Sequence, residues 1–215
     1  MQLIIGNKNY SSWSLRPWIL MKHFDIAFDE QYIWLFSAQM QSDMQRYSPS
    51  LKVPVLRDDD LKVWDSLAIC EYISEQYLQG SGWPKATSQR SIARSICAEM
   101  HSGFNAIRSE MPMNCRREPS AITLTDQAAL EIKRVIDIFD QCLEQPSQTG
   151  SFLFGEFSIA DAFYMPIVAR FNCYSIDVPN NVSKYMQTML NLPAYQRWLL
   201  QARDEDAVID AAEIG

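Results

Sequence analysis

The stretch Lys52-Val53-Pro54-Val55-Leu56-Arg57-Asp58-Asp59-Asp60-Leu61-Lys62-Val63-Trp64-Asp65-Ser66 decides the fold. Two short apolar runs, 53–56 and 61–64, flank the polar turn Arg57-Asp58-Asp59-Asp60, the pattern of an antiparallel hairpin. Asp65-Ser66 then opens a helix, because Leu67, Ile69, Tyr72 and Ile73 recur at a spacing of three to four. Upstream, Leu3-Ile4-Ile5-Gly6 reads as a first strand. From Ser14 a helix carries Leu15, Trp18 and Ile19, with Pro17 near its first turn, where a missing N–H is harmless. Residues 28–35, with Tyr32, Ile33, Trp34 and Leu35, read as a second strand. The order is β-α-β, an irregular stretch, then β-β-α: a small mixed sheet with helices over residues 1–78.

Gln79-Gly80-Ser81-Gly82-Trp83-Pro84 is the clearest break, and residues 79–86 read as a linker. Beyond it, residues 87–215 show only helical periodicity. The segments are 88–108, 125–145, 159–174 and 182–202, the last interrupted at Leu192-Pro193. Ser158 with Asp161 three positions on is a capping box opening the third of them. The acidic tail from Arg203 onward is expected to be loosely held.

Composition sets outer limits. A chain of 215 residues, 47% hydrophobic and 21% charged, is globular, which excludes collagen, coiled coil and wholesale disorder. The formal charge of -7 argues against nucleic acid as a partner, since phosphate backbones demand a basic face. Apolar runs such as Trp18-Ile19-Leu20-Met21 are far too short to cross a bilayer, and the first residues carry no signal-peptide pattern, so no membrane is expected. Five cysteines stand singly, which argues against disulfides and zinc and for a reducing cytoplasm. His23 and His101 are too few and too distant for a metal site; His23 is expected at the end of the first helix, where positive charge is favoured.

Three short segments offer chemistry, each beside a plainer reading. Tyr10-Ser11-Ser12-Trp13-Ser14-Leu15-Arg16 joins strand to helix, where hydroxyls and N–H groups either receive an anion or simply cap the helix through Ser12 or Ser14. Pro54 is either an ordinary edge-strand proline or the centre of a cis turn that leaves the Val53 main chain free for an extended peptide. Asp65-Ser66 is either an N-cap or a seat for an α-amino acid, with Ser66 on the carboxylate and Asp65 near the ammonium.

In this order the segments resemble the cytosolic glutathione transferase family, over essentially the whole chain. Ser11-Ser12-Trp13-Ser14-Leu15-Arg16 is similar to the serine-type motif of the zeta-like branch, Val53-Pro54 to its cis-proline, and Asp65-Ser66 to its acidic-serine pair. The resemblance implies an α/β thioredoxin-like N-terminal domain plus an all-α C-terminal domain, a homodimer, glutathione as co-substrate and no metal. It implies that Ser11, with Ser12 as the fallback, donates a hydrogen bond to the glutathione sulfur. Val53 and Pro54 would hold the cysteinyl main chain, Asp65 and Ser66 the γ-glutamyl end, and Lys52 the glycyl carboxylate. A free thiol has a pKa near about 8.5, and one donated hydrogen bond at a helix N-terminus lowers it by about a unit, so the thiolate attacks a small electrophile.

The match has gaps. Trp13 stands where the maleylacetoacetate isomerases of that branch have a cysteine, placing a bulky indole beside the sulfur. Cys173 aligns with their helical arginine, for which Arg170, nearly a turn away, is the only substitute. Glutathione-dependent cis-trans isomerisation and a non-catalytic interaction protein therefore stand as the alternatives. The resemblance counts Trp13 among the glutathione-binding residues; the electrophile is expected between the domains, near His101, Arg108, Met111 and Arg116, with Arg117, Met100, Phe104 and Met113 around them. The competing reading makes the methionines and Phe104 core, and the arginines solvated.

Overall fold

Strand β1 (Gln2–Ile5) is the axis of the amino-terminal half. In the computed structural model, which describes residues 1–144 and 150–214, β1 lies between β2 (Asp29–Tyr32) and β3 (Val55–Asp58), with β4 (Leu61–Trp64) on the far side of β3. It pairs in parallel with β2, Leu3 opposite Glu30, and antiparallel with β3, Leu3 opposite Leu56. β3 and β4 make the expected hairpin, Asp58 opposite Leu61. Asp59 at its tip has a φ of 49°, a left-handed conformation that aspartate tolerates.

Alternation along β1 divides the core. Leu3 and Ile5 join Leu15 and Trp18 of α1 (Ser12–His23) and Ile69 and Ile73 of α3 (Ser66–Tyr77). Ile4 turns the other way, to Ile33, Val55 and Met44 of α2 (Met40–Tyr47). The second half consists of α4 (Thr87–Ser102), α5 (Asn105–Glu110), α6 (Asp126–Leu143), α7 (Ile159–Cys173), α8 (Asn180–Leu190) and α9 (Pro193–Arg203). Helix α7 is apolar all round and buried at every residue except Asn172, as a central helix must be. It packs against α1, α4 and α8, so it fastens the sheet unit to the helical one.

The capping box at the start of α7 is present. The Asp161 carboxylate accepts the Leu153 N–H at 3.0 Å, the Ser158 N–H at 2.9 Å and the Ser158 hydroxyl at 3.0 Å, entirely out of water. Six expectations need correction. β2 is shorter than 28–35, although the Ile33 N–H still donates to Ile5 O at 2.9 Å. The irregular stretch contains α2, whose polar sequence buries only Met44 and gives no periodicity to read. Helix α1 begins at Ser12, so Pro17 falls in its second turn and removes one rung of the ladder.

The helix expected over 88–108 is broken: Gly103 caps α4, Phe104 turns left-handed with φ 58°, and the Arg108 side chain takes the Gly103 and Met100 carbonyls. The split at Leu192-Pro193 occurs as expected, with Pro193 starting α9. The end of the helix expected at Gln145 lies outside the described residues. His23 does end α1, but burial against Phe157, with ring centroids 3.9 Å apart, lowers its pKa instead of favouring charge. The tail is not loose: Glu205 and Ala212 are buried, and residues 205–214 are tied into the molecule by hydrogen bonds.

Burial pushes the Asp161 carboxyl up to about 6, against the hydrogen bonds from Leu153 and Ser158 that pull it down. The folded value lies above the unfolded one, near ~4, so this group's stabilising share is complete below about pH 4 and is lost as pH rises through about 6. Two outcomes are expected in urea unfolding. Asp161→Ala lowers stability by about 3 kcal/mol by stranding three donors. The parent also loses more stability than Asp161→Asn between about pH 5 and about pH 8.

Candidate functional site

The loop from Gly6 to the start of α1 carries the first candidates. Ser11, not Ser12 or Ser14, is the N-cap: its oxygen accepts the Ser14 N–H at 3.4 Å. Its hydroxyl donates to the Ser14 hydroxyl at 2.8 Å, which in turn accepts the Gly6 N–H at 3.1 Å. The Ser12 hydroxyl has no hydrogen-bond partner among the described residues. A hydroxyl resting on another hydroxyl can rotate to a stronger acceptor, and the first N–H groups of α1 reinforce any negative charge placed there.

Both serines open onto one cleft of about 630 Å³. It also gathers Trp13, Lys52, Val53, Pro54, Asp65, Ser66 and His101. Strand β3 begins only at Val55, so Val53 lies beyond the ladder; neither its N–H nor its carbonyl is used by another described residue. The Val53–Pro54 peptide bond is cis. The Ser48 hydroxyl braces Lys52, accepting its N–H at 3.0 Å and donating to its carbonyl at 2.6 Å.

Across the cleft, Asp65 rather than Ser66 caps α3. It sits at φ 78°, and its Oδ1 accepts the Leu67 N–H at 2.8 Å and the Ala68 N–H at 3.4 Å. Ser66 is thereby the first helical residue, with its N–H outside the helix ladder. The second Asp65 oxygen meets His101 Nε2 of α4 at 2.6 Å, a link between the two halves of the molecule.

Behind Ser66 lies Arg16, fully buried and stacked between the Trp13 and Phe163 rings, its Cζ 4.2 and 4.5 Å from their centroids. Its Nη1 donates to Ser66 Oγ at 3.3 Å, while Nε and Nη2 have no partner among the described residues. Burial, then repulsion from Arg108 and Arg170, pushes its pKa down to about 9. Because Ser66 accepts from Arg16, its own proton is free to be donated into the cleft. A hydroxyl, an N–H and a buried cation in line favour a carboxylate there.

The expected second-substrate residues separate. His101 lines the cleft, edge-on to Trp13 with centroids 5.3 Å apart. Arg108 lies against the Trp13 ring at 4.8 Å but spends its donors on Gly103 and Met100 and does not line the cleft. Met111 is completely buried core, as are Met100, Phe104 and Met113. Arg116 reaches the tail, Arg117 donates to Ile214 and Cys173 carbonyls, and Arg170 is spent on Met111 and Pro166 carbonyls. All five cysteines are buried and unpaired, and desolvation raises their thiol pKa, Cys115 and Cys142 to about 12. Residues not foreseen include Tyr10, Leu35, Met44 and Trp64 in the cleft wall, and Arg16 behind it. Of these Tyr10 and Arg16, within the segment 10–16, and Trp64, beside Asp65, had a local signal.

Among the described residues no cluster of His, Cys, Asp and Glu could hold a metal ion, and no helix is long and apolar enough to cross a membrane. Residues 10–76 match the family model of the glutathione S-transferase N-terminal domain. That segment, about a third of the chain, is similar to the glutathione S-transferase N-terminal domain. Similar proteins include a probable maleylacetoacetate isomerase of Caenorhabditis elegans, 24% identical over 187 residues and 86% of each chain. The glutathione S-transferase GstB of Escherichia coli is 25% identical over 177 residues, 80% of this chain and 79% of that one.

Among solved structures, a zeta-class maleyl pyruvate isomerase superposes with a TM-score of 0.74 at 18% identity, over 97% of this chain and all of that one. A Burkholderia glutathione transferase homologue with bound glutathione gives 0.72 at 22%, over 95% and 98%. The fold is thus a thioredoxin-like amino-terminal domain followed by an all-helical domain. Asp65→Ala should uncap α3 and lower stability by about 1 kcal/mol, whereas Asp65→Ser, which keeps a capping oxygen, should retain most of it; thermal melts compare the two.

Proposed function

We propose that the cleft binds glutathione and holds its thiol as thiolate for attack on a small electrophile. The observation that carries this reading is the convergence on one cleft of two serine hydroxyls at the start of α1, the free main chain of Val53, and Ser66 backed by Arg16 at the start of α3. The γ-glutamyl carboxylate sits on the Ser66 hydroxyl and N–H, one group away from the Arg16 charge. Its ammonium lies toward Asp65, the cysteinyl amide pairs with Val53, and the glycyl carboxylate reaches Lys52. The sulfur then lies at the α1 N-terminus, where Ser11 or Ser12 donates to it. The thiol proton leaves to water, the sulfur forms a bond to the electrophilic carbon, and the leaving group departs with the electrons of the broken bond.

Domain limits of 1–78 and 87–215, with 79–86 between, suit this division of labour. A cytoplasmic site and a homodimer complete the reading. Leu61, Trp64, Tyr77 and Ile92 are each more than two-fifths exposed on β4, α3 and α4, and they offer apolar surface to a second copy. Isomerisation of an acidic diene finds less support, since Arg170 is committed to core carbonyls and supplies no cation to the cleft. A purely interacting protein has no need of two hydroxyls turned into a cleft at a helix N-terminus.

The test is the ultraviolet absorbance of the thiolate of bound glutathione, followed against pH. Replacing the donating serine by alanine should raise the bound thiol pKa by about one unit and lower neutral-pH kcat/KM for conjugation about tenfold. The other single alanine variant should stay near the parent. A parent that is not retained on immobilised glutathione, or that binds it without turnover on any of a panel of electrophiles, contradicts the enzyme reading.

A further inference from the structure

The loop that carries Ser11 and Ser12 has little hold of its own. Within it, the Tyr10 and Ser11 N–H groups return to Asn7 O at 3.2 and 2.8 Å, and the Ser12 N–H to Tyr10 O at 3.0 Å. Gly6 and Ser11 rest on the Ser14 hydroxyl, the Leu35 N–H donates to Asn7 Oδ1 at 2.9 Å, and Lys8 Nζ reaches Glu30 at 2.5 Å. The remaining hydrogen bonds from outside α1 come from the far end of the chain and from the segment after α5. The Lys8 and Asn9 N–H groups both end on one carboxylate, Glu205, at 2.6 and 3.0 Å, one on each oxygen. Trp198 of α9 donates to Lys8 O at 2.9 Å. Asn9 exchanges side-chain hydrogen bonds with Asn114 at 3.0 Å and the Arg116 N–H at 2.9 Å. The Tyr10 hydroxyl accepts from Arg116 at 2.7 Å and donates to Glu213. Glu205 is only 7% exposed. A buried carboxylate placed to accept two consecutive backbone N–H groups fixes the peptide planes between them far better than a loop fixes itself.

We infer that Glu205 is a positioning residue for the thiolate site: the segment 204–214 is a strap that sets where the Ser11 and Ser12 hydroxyls stand relative to the sulfur. The inference rests on the glutathione reading of the cleft. Glutathione itself is held by Val53 and Ser66, on other elements, so the strap governs the sulfur end alone. In Glu205→Gln one of the two backbone N–H groups faces an NH₂ donor instead of an acceptor, and the loop must shift. A shift of that kind misaligns a catalytic hydrogen bond without removing any group that touches the ligand.

The experiment compares parent and Glu205→Gln as full chains, measuring glutathione dissociation constant, bound-thiol pKa from thiolate absorbance, and kcat. Expected are an affinity within about twofold of the parent, a thiol pKa about one unit higher and a neutral-pH kcat about tenfold lower. A residue that only stabilises the fold would lower the melting temperature and leave the bound-thiol pKa where it was, and that result overturns the proposal. Should Glu205→Gln not fold, Arg116→Lys slackens the same strap from its rim, and the same readout decides. No thiolate signal in the parent overturns the glutathione reading and the strap's role with it. A signal in the parent that the variant leaves unmoved overturns the strap alone.

Discussion

Two helix N-termini have to finish at the same edge of one small sheet, and that constraint shapes the molecule. Strand β1 can satisfy it because it pairs in parallel with β2 and antiparallel with β3. The parallel partner requires a crossover, which is α1; the antiparallel partner returns through a hairpin into α3. Both helices then lie on one face of the sheet, over Leu3 and Ile5, and both turn their N-termini toward the cleft. A cleft edged by two helix N-termini follows from backbone geometry before any side chain is added.

The helical half completes what the sheet begins. Helix α7 lies against α1, and its Phe163 forms one side of the slot in which Arg16 is stacked. A guanidinium without a carboxylate partner is costly to bury, and aromatic faces offset only part of that loss. An anion received at Ser66 would offset part of the remainder. His101, reaching from α4 to Asp65, ties the same corner from above.

What could be read from the sequence was what repeats locally. The alternation in β1, the hairpin around Asp59 and the apolar periods of α3, α6 and α7 all lie within a few residues of each other. The serines, Val53 and Asp65-Ser66 were legible because each stands at the end of such an element. Helix α2 was not, since Met44 is its lone buried residue and one apolar position has no period. Met111 and Arg116 were misplaced for a related reason: Met suits core and pocket alike, and an arginine's destination depends on carbonyls contributed from elsewhere. Arg16 defied the expectation that arginine stays wet. Glu205, flanked by Asp204 and Asp206, looked like part of a solvated acidic run, and its partners lie 196 and 197 positions away, beyond any local pattern.

That separation has a consequence for biosynthesis. Ribosomes deliver about 5–20 residues each second, so Lys8 and Asn9 emerge about 10–40 s before the carboxylate that pins them. The nascent sheet unit can assemble early, but its serine turn stays unclasped until residue 205 has emerged. A polypeptide halted before residue 205 lacks the carboxylate that pins the serine turn.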